Sequence, residues 1–175
     1  MSLYFVTGIA GTGKSSLCEE LKSRGYEAYD TDDDGFSKWQ HRETDYVHPK
    51  SSVKSKDRTE EFLKNHAWNI PRQEVESLAK RAADKPIFLC GVADNVSDLS
   101  ALFNNVFALS IDKKTLKHRL QTRTNNDWGK QAHELQSTLD QHSLSAAYYE
   151  KNGYIIIDAN QPVATIADKL LAEVL

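Results

Sequence analysis

Gly8-Ile9-Ala10-Gly11-Thr12-Gly13-Lys14-Ser15 has the spacing G-x-x-x-x-G-K-[ST], which is the pattern of a loop that wraps a phosphate in backbone amides. Amides converge on an anion only where side chains stay out of the way and φ is free to turn positive, and Gly8, Gly11 and Gly13 provide that freedom. The helix expected from Lys14 onward turns its unpaired N–H groups and positive dipole end toward the same point. Lys14 adds a cation for the β- and γ-phosphates, and the Ser15 hydroxyl suits Mg²⁺. Thr12 and Ser16 complete the phosphate contacts. The flanks agree with this reading. Leu3–Thr7 is a short apolar, β-prone run, and Ser15–Leu21 reads as the start of a helix.

Carboxylates follow at the end of the next β-prone run, in Tyr29-Asp30-Thr31-Asp32-Asp33-Asp34. In open α/β sheets ligands sit outside the carboxyl ends of the strands. Carboxylates beside a triphosphate repel it unless Mg²⁺ or a substrate hydroxyl uses them. Asp30 is therefore expected at the metal, through water, and Asp32 at the hydroxyl that attacks the γ-phosphate. The competing reading is a solvated acidic turn that caps the next segment, which suits Asp33 and Asp34 better.

Arg119 and Arg123, four residues apart, share one face of a helix expected to run to about Thr124. Phosphoryl transfer depends on positioning and on charge stabilisation at the moving group, which two arginines at the base of a closing loop supply. The alternative is an ordinary cationic helix surface. A strand at Ile87–Cys90 carries no carboxylate, so the usual Walker B signature is missing. Asp94 either replaces it or caps the segment after it.

Positioning these residues requires alternating strands and helices. Strands are expected at Leu3–Thr7, Tyr26–Tyr29, Ile87–Cys90, Val106–Ile111 and Tyr154–Ile157. Helices are expected at Lys14–Arg24, Asp57–Ala67, Arg72–Ala83, Val96–Leu102, from a cap at Asp112 to Thr124, at Gln131–Lys151 and at Val163–Leu175. Asp30–Lys56 reads as irregular, and Asn125–Lys130 as a polar loop. Short apolar strands of this kind imply a parallel sheet covered on both faces. His41, Arg42, His48, Arg58, Trp39, Trp68 and Arg72 fall between the second and third strands, the stretch that must read a second substrate.

The 175 residues suit a single domain, 1–175, with enough chain to bury a sizeable core. A formal net charge of -3 argues against general nucleic-acid binding. No apolar stretch is long enough to span a membrane and no signal-type segment is evident, so a cytoplasmic location is expected. Cys18 and Cys90 have no metal-ligand spacing and read as buried free thiols.

Taken together, the chain resembles P-loop kinases of the nucleoside monophosphate kinase type, including adenylate, shikimate and gluconate kinases. Gly8–Ser15 matches their phosphate loop, Asp30-Thr31-Asp32 is similar to the aspartate pair of shikimate kinases, and Arg119-Leu120-Gln121-Thr122-Arg123 looks like their R-L-x-x-R lid base. The resemblance implies a three-layer α/β fold with a five-stranded parallel sheet in the order 2-3-1-4-5. It also implies a short lid at about 124–130 and an acceptor-binding region at about 30–85. By the same resemblance Arg119 lies against the adenine and Arg123 reaches the phosphates, and the loop Ile157–Val163, with Asn160 and Pro162, contacts the base. The departures are a single Gly91 where shikimate kinases carry three glycines, and no D-G-F-P-R motif at the adenylate-kinase position.

The implied activity is transfer of the γ-phosphate of ATP, with Mg²⁺, to a small acceptor: a nucleoside, a nucleotide or a hydroxylated metabolite. The catalytic set is then Lys14, Asp32, Arg119 and Arg123, with Ser15 and Asp30 at the metal. The alternative is a nucleotide-binding regulator with little or no turnover, favoured by the missing Walker B carboxylate. A GTP switch is disfavoured, because no Asn-Lys-x-Asp motif is present.

Overall fold

The computed structural model describes residues 2–49, 52–54, 57–124 and 132–174. Its central sheet contains β1 (Leu3–Thr7), β2 (Glu27–Asp30), β5 (Ile87–Cys90), β6 (Asn105–Ser110) and β7 (Ile155–Asp158). All pairings are parallel and the order is β2-β5-β1-β6-β7. Counted within this sheet alone, that is the expected 2-3-1-4-5.

Period-2 geometry explains why the inner strands read as unbroken apolar runs. Tyr4 and Val6 of β1, Phe88 and Cys90 of β5, and Phe107 and Leu109 of β6 enter one core. Leu3 and Phe5, Ile87 and Leu89, and Val106 and Ala108 enter the other. Both faces are covered, so no position is left for a polar residue. The first core is closed by α1 (Lys14–Ser23) through Leu17, Cys18 and Leu21, by α4 (Lys113–Thr122) through Leu116 and Leu120, and by α6 (Val163–Ala172) through Ile166, Ala167 and Leu170. The second is closed by α3 (Arg72–Arg81) through Val75, Leu78 and Ala79, and by a 3₁₀ turn at Ser97–Leu102 through Leu99. Cys18 and Cys90 are buried free thiols, as expected, and share the first core.

Local chemistry sets the helix ends. The Asp112 side chain accepts from the Thr115 N–H and caps α4. After the long α5 (Ala132–Lys151), Gly153 at φ 69° ends the helical path, as the Asn152-Gly153 pair predicts.

The region between β2 and β5 departs from expectation. Asp30–Lys56 is not wholly irregular and the helix at 57–67 is shorter than its spacing suggests. β3 (Lys38–His41) lies inside the first segment, and α2 (Glu60–Asn65) gives way to β4 (His66–Asn69), which pairs antiparallel with β3. Trp39 sits opposite Trp68 with ring centroids 5.1 Å apart, and His41 opposite His66 at 4.9 Å. Cross-strand aromatic pairs outweigh the weak helical preference of His-Ala-Trp-Asn, and only the distant partner strand β3 reveals it. The lid stretch Asn125–Lys130 lies outside the described residues.

Candidate functional site

The loop between β1 and α1 lies at the carboxyl edge of the sheet. Gly13 occupies the N-cap position of α1 at φ 100°, a conformation that lets the first turn present its amides to the loop. The Thr12 hydroxyl donates to the Ile9 carbonyl at 2.9 Å and pins the loop from inside. Lys14 Nζ donates to the Gly8 carbonyl at 2.6 Å and the Ile9 carbonyl at 3.0 Å. Burial pulls its pKa from 10.5 down to about 8, against the opposing pull of the Asp32 and Asp30 carboxylates.

A cleft of about 1510 Å³ opens over this loop. Gly8, Gly11, Thr12, Gly13, Lys14, Ser15 and Ser16 form its floor, with Asp32, Asp94, Arg119 and Arg123 around it. Arg119 spans two sides, donating to the Thr12 carbonyl at 3.3 Å and to the Ala159 carbonyl at 3.1 Å. It thereby joins the phosphate loop to the segment after β7. Arg123 caps α4 and lies within the field of Glu134 on α5. Gln161, Val163 and Ile166 line the cleft next to that segment. Asn160 and Pro162, their neighbours, do not. Asn160 is bound to the Asp158 carboxylate and accepts from the Asp112 N–H, and Pro162 stands at the N-cap of α6.

Asp30 and Asp32 have different surroundings. Asp30 is buried, and its Oδ1 accepts from the Asp32 and Asp33 amides at 3.0 and 3.2 Å. Together with Ser15, Ser16 and Asp33 it lines a smaller hollow of about 310 Å³ beside the main cleft. A hydroxyl and a carboxylate beside a phosphate loop are hard oxygen donors of the type Mg²⁺ takes, so the residues fit that ion. Among the described residues no cluster of three or more His, Cys, Asp or Glu forms a metal cage. Asp32 Oδ1 accepts from the Trp68 ring N–H at 3.1 Å. Desolvation by the cleft walls, with Asp30 adding to it, raises the Asp32 pKa above the ordinary carboxylate range even though the residue keeps an open edge to solvent.

Asp94 does not cap the 3₁₀ turn after it, whose N-cap is Val96. Its Oδ2 accepts from the Trp68 N–H at 2.9 Å, while its own N–H donates to the Trp68 carbonyl at 2.7 Å. Trp68 therefore bridges Asp32 and Asp94, and it is β4 that holds both carboxylates at the cleft. Arg58 also lines the cleft. Of the other residues noted between the second and third strands, Trp39, His41 and His48 hold the hairpin together, and Arg72 donates to the Asp98 carbonyl.

Gly91 brings the Asp-rich loop against the end of β5. A Cβ there would lie 1.7 Å from Thr31 Oγ1 and 2.8 Å from Thr31 Cβ. Thr31 is fully buried and its N–H donates to the Cys90 carbonyl, so it has nowhere to go. Gly91→Ala is expected to displace residues 31–32 and to destabilise the protein by about 1–3 kcal/mol, read from urea denaturation midpoints. An unchanged midpoint would show that the loop yields freely.

One wall was not legible in the motifs. Glu134, Gln141, Ser145 and Tyr148 recur at intervals that place them on one face of α5, and that face lines the cleft. The buried Tyr149 hydroxyl meets the Ile9 backbone N–H, and burial pushes its pKa up to about 12. The signal was present as a polar and aromatic stripe at helical spacing, but nothing in it marks a face as turned toward a phosphate loop 140 residues earlier.

The parallel order, the phosphate loop at the β1–α1 turn and the cationic helix opposite define a P-loop protein of the nucleoside monophosphate kinase-like type. Residues 5–138 match the model of the family described as AAA domain, and the chain belongs to that family. Solved structures with similar folds include a sugar kinase from a Janibacter species (TM-score 0.58, 19% identity, 98% of this chain and 93% of that one). Another is a shikimate kinase from Acinetobacter baumannii in complex with shikimate (0.61, 14%, 99% and 92%). A third is a gluconokinase from Sinorhizobium meliloti (0.54, 18%, 99% and 91%). No curated protein matches the sequence. Among the described residues, no helix is long and apolar enough to cross a membrane.

Proposed function

We propose that the protein is an ATP-dependent kinase that transfers the γ-phosphoryl group to a hydroxyl of a small acceptor. The observation that carries this reading is the convergence, in one cleft, of Lys14 and Ser15 of the phosphate loop with Asp32, Arg119 and Arg123. In this mechanism the acceptor oxygen bonds to the γ-phosphorus as the bridging P–O bond to the β-phosphate breaks. The bond electrons leave with ADP, and the hydroxyl proton passes to Asp32. The raised pKa of Asp32 suits it to take that proton. Lys14, Arg119 and Arg123 balance the charge that moves across the phosphoryl oxygens. Arg119, anchored on both sides of the nucleotide position, also orients the base end. Ser15 and Asp30 would hold Mg²⁺, which would neutralise phosphate charge when bound. Residues 30–85 supply the acceptor side.

The test is ADP release from Mg-ATP with and without candidate acceptors. Acceptor-stimulated turnover supports the kinase. Saturable ATP binding that no acceptor converts into turnover supports the regulator reading instead. Arg123→Ala is expected to lower kcat by about 10²-fold with little change in ATP affinity, the pattern of a contact made mainly in the transition state. An unchanged kcat removes Arg123 from the mechanism.

A further inference from the structure

The acceptor side of the cleft differs in character from the phosphate side. Two carboxylates face it, Asp32 and Asp94, both tied to Trp68. Arg58 is the cation that joins them there among the described residues, since Lys14, Arg119 and Arg123 belong to the phosphate loop and its far wall. Exposed apolar side chains line the same cleft, beside Asp94 on the loop after β5 and among the polar groups of the α5 face. Val92, Leu144 and Tyr148 are 38%, 71% and 46% exposed. They make up three of the seven large hydrophobic side chains left exposed among the described residues, and all three line this cleft. Exposed apolar groups gathered along one concave surface mark a place where a ligand removes them from water. Gln141 and Ser145, on the same face of α5, add neutral hydrogen-bonding groups and no charge.

Resting on the kinase reading above, we propose that the phosphoryl acceptor is an alcohol without negative charge that carries a flat apolar ring, nucleoside-like in its chemistry, and not a hydroxy acid or a phosphorylated compound. The ring lies against Tyr148, Leu144 and Val92, and the reacting hydroxyl points at Asp32. A carboxylate or phosphate placed here would face two aspartates and one arginine. Like charges at close quarters repel, so an anionic acceptor is disfavoured against an uncharged one.

The experiment measures ADP release from the full chain with Mg-ATP and three acceptor sets: uncharged nucleosides, hydroxy acids (gluconate and shikimate), and nucleoside monophosphates. Uncharged nucleosides are expected to stimulate release at least tenfold more than either anionic set. Tyr148→Ala should raise the acceptor KM about tenfold and leave the KM for ATP unchanged. Leu144→Arg, at a side chain open enough to leave folding intact, should shift preference toward the anionic acceptors by at least tenfold. If a hydroxy acid or a monophosphate is the best acceptor, the assignment falls while the kinase reading stands; if Mg-ATP binds and none of the three sets stimulates release, both fall. If Mg-ATP does not bind, the kinase reading falls with it.

Discussion

Lys14→Met is expected to cut phosphoryl transfer by about 10²–10³-fold and, at neutral pH, to make the folded protein more stable. The two effects have one cause. The ammonium is held inside the loop by the Gly8 and Ile9 carbonyls, where burial lowers its pKa from 10.5 to about 8. Below pH 8 both the folded and the unfolded chain carry the proton, and the folded state bears the full cost of a desolvated cation. Between pH 8 and 10.5 the unfolded chain binds more protons than the folded one, so stability rises with pH as that cost is released. With allowance for the solvent the half-buried side chain still meets, the penalty is about 2–3 kcal/mol. Urea denaturation of both proteins from pH 7 to 10.5 provides the check. The variant should begin more stable, and the wild type should close the gap as pH rises. Other lysines and tyrosines titrate in this window but cancel in the difference. A constant gap would mean that Lys14 is not desolvated in the folded protein. A nucleotide phosphate beside the ammonium raises its pKa again, so ATP binding near pH 8.5 is expected to take up protons in the wild type and not in the variant.

Asp32→Asn is expected to lower acceptor-dependent turnover by about 10²–10⁴-fold while ATP affinity stays within about threefold. The amide keeps the size of the carboxylate and its oxygen still accepts from the Trp68 ring N–H, so the geometry of the β4 edge survives. What is lost is the group proposed to take the hydroxyl proton. Because the surroundings raise the Asp32 pKa, the acidic limb of the wild-type kcat/KM profile should lie above the ordinary carboxylate range. Turnover by the variant within tenfold of wild type would show that Asp32 orients the acceptor or does nothing, and that another group removes the proton.

How much of this was readable from the chain depends on the range of the interactions. The phosphate loop was readable because its chemistry is local. Three glycines, a lysine and a serine within eight residues determine where amides, cation and hydroxyl fall. The inner strands β1, β5 and β6 were readable as near-continuous apolar runs, and the cap at Asp112 and the stop at Gly153 are short-range hydrogen-bonding and φ effects. The hairpin β3–β4 was not readable, since His-Ala-Trp-Asn becomes a strand only when Lys-Trp-Gln-His lies beside it.

The same distinction separates the two aspartates. Asp30 and Asp32 could be singled out because a strand end delivers them to the edge where ligands bind. That Asp30 faces the hollow beside Ser15 while Asp32 is held by Trp68 was set by packing between elements far apart in sequence. Asp94 shows it most clearly. As a sequence position it was either a helix cap or a substitute for a missing carboxylate. The backbone of Trp68 took its hydrogen bond and turned it into the cleft. The chain alone therefore determined the anion cradle and the parallel sheet, through spacing and period. The tertiary structure decided the wall proposed for the acceptor, because the α5 face and the β4 edge reach the cleft only through what they are packed against.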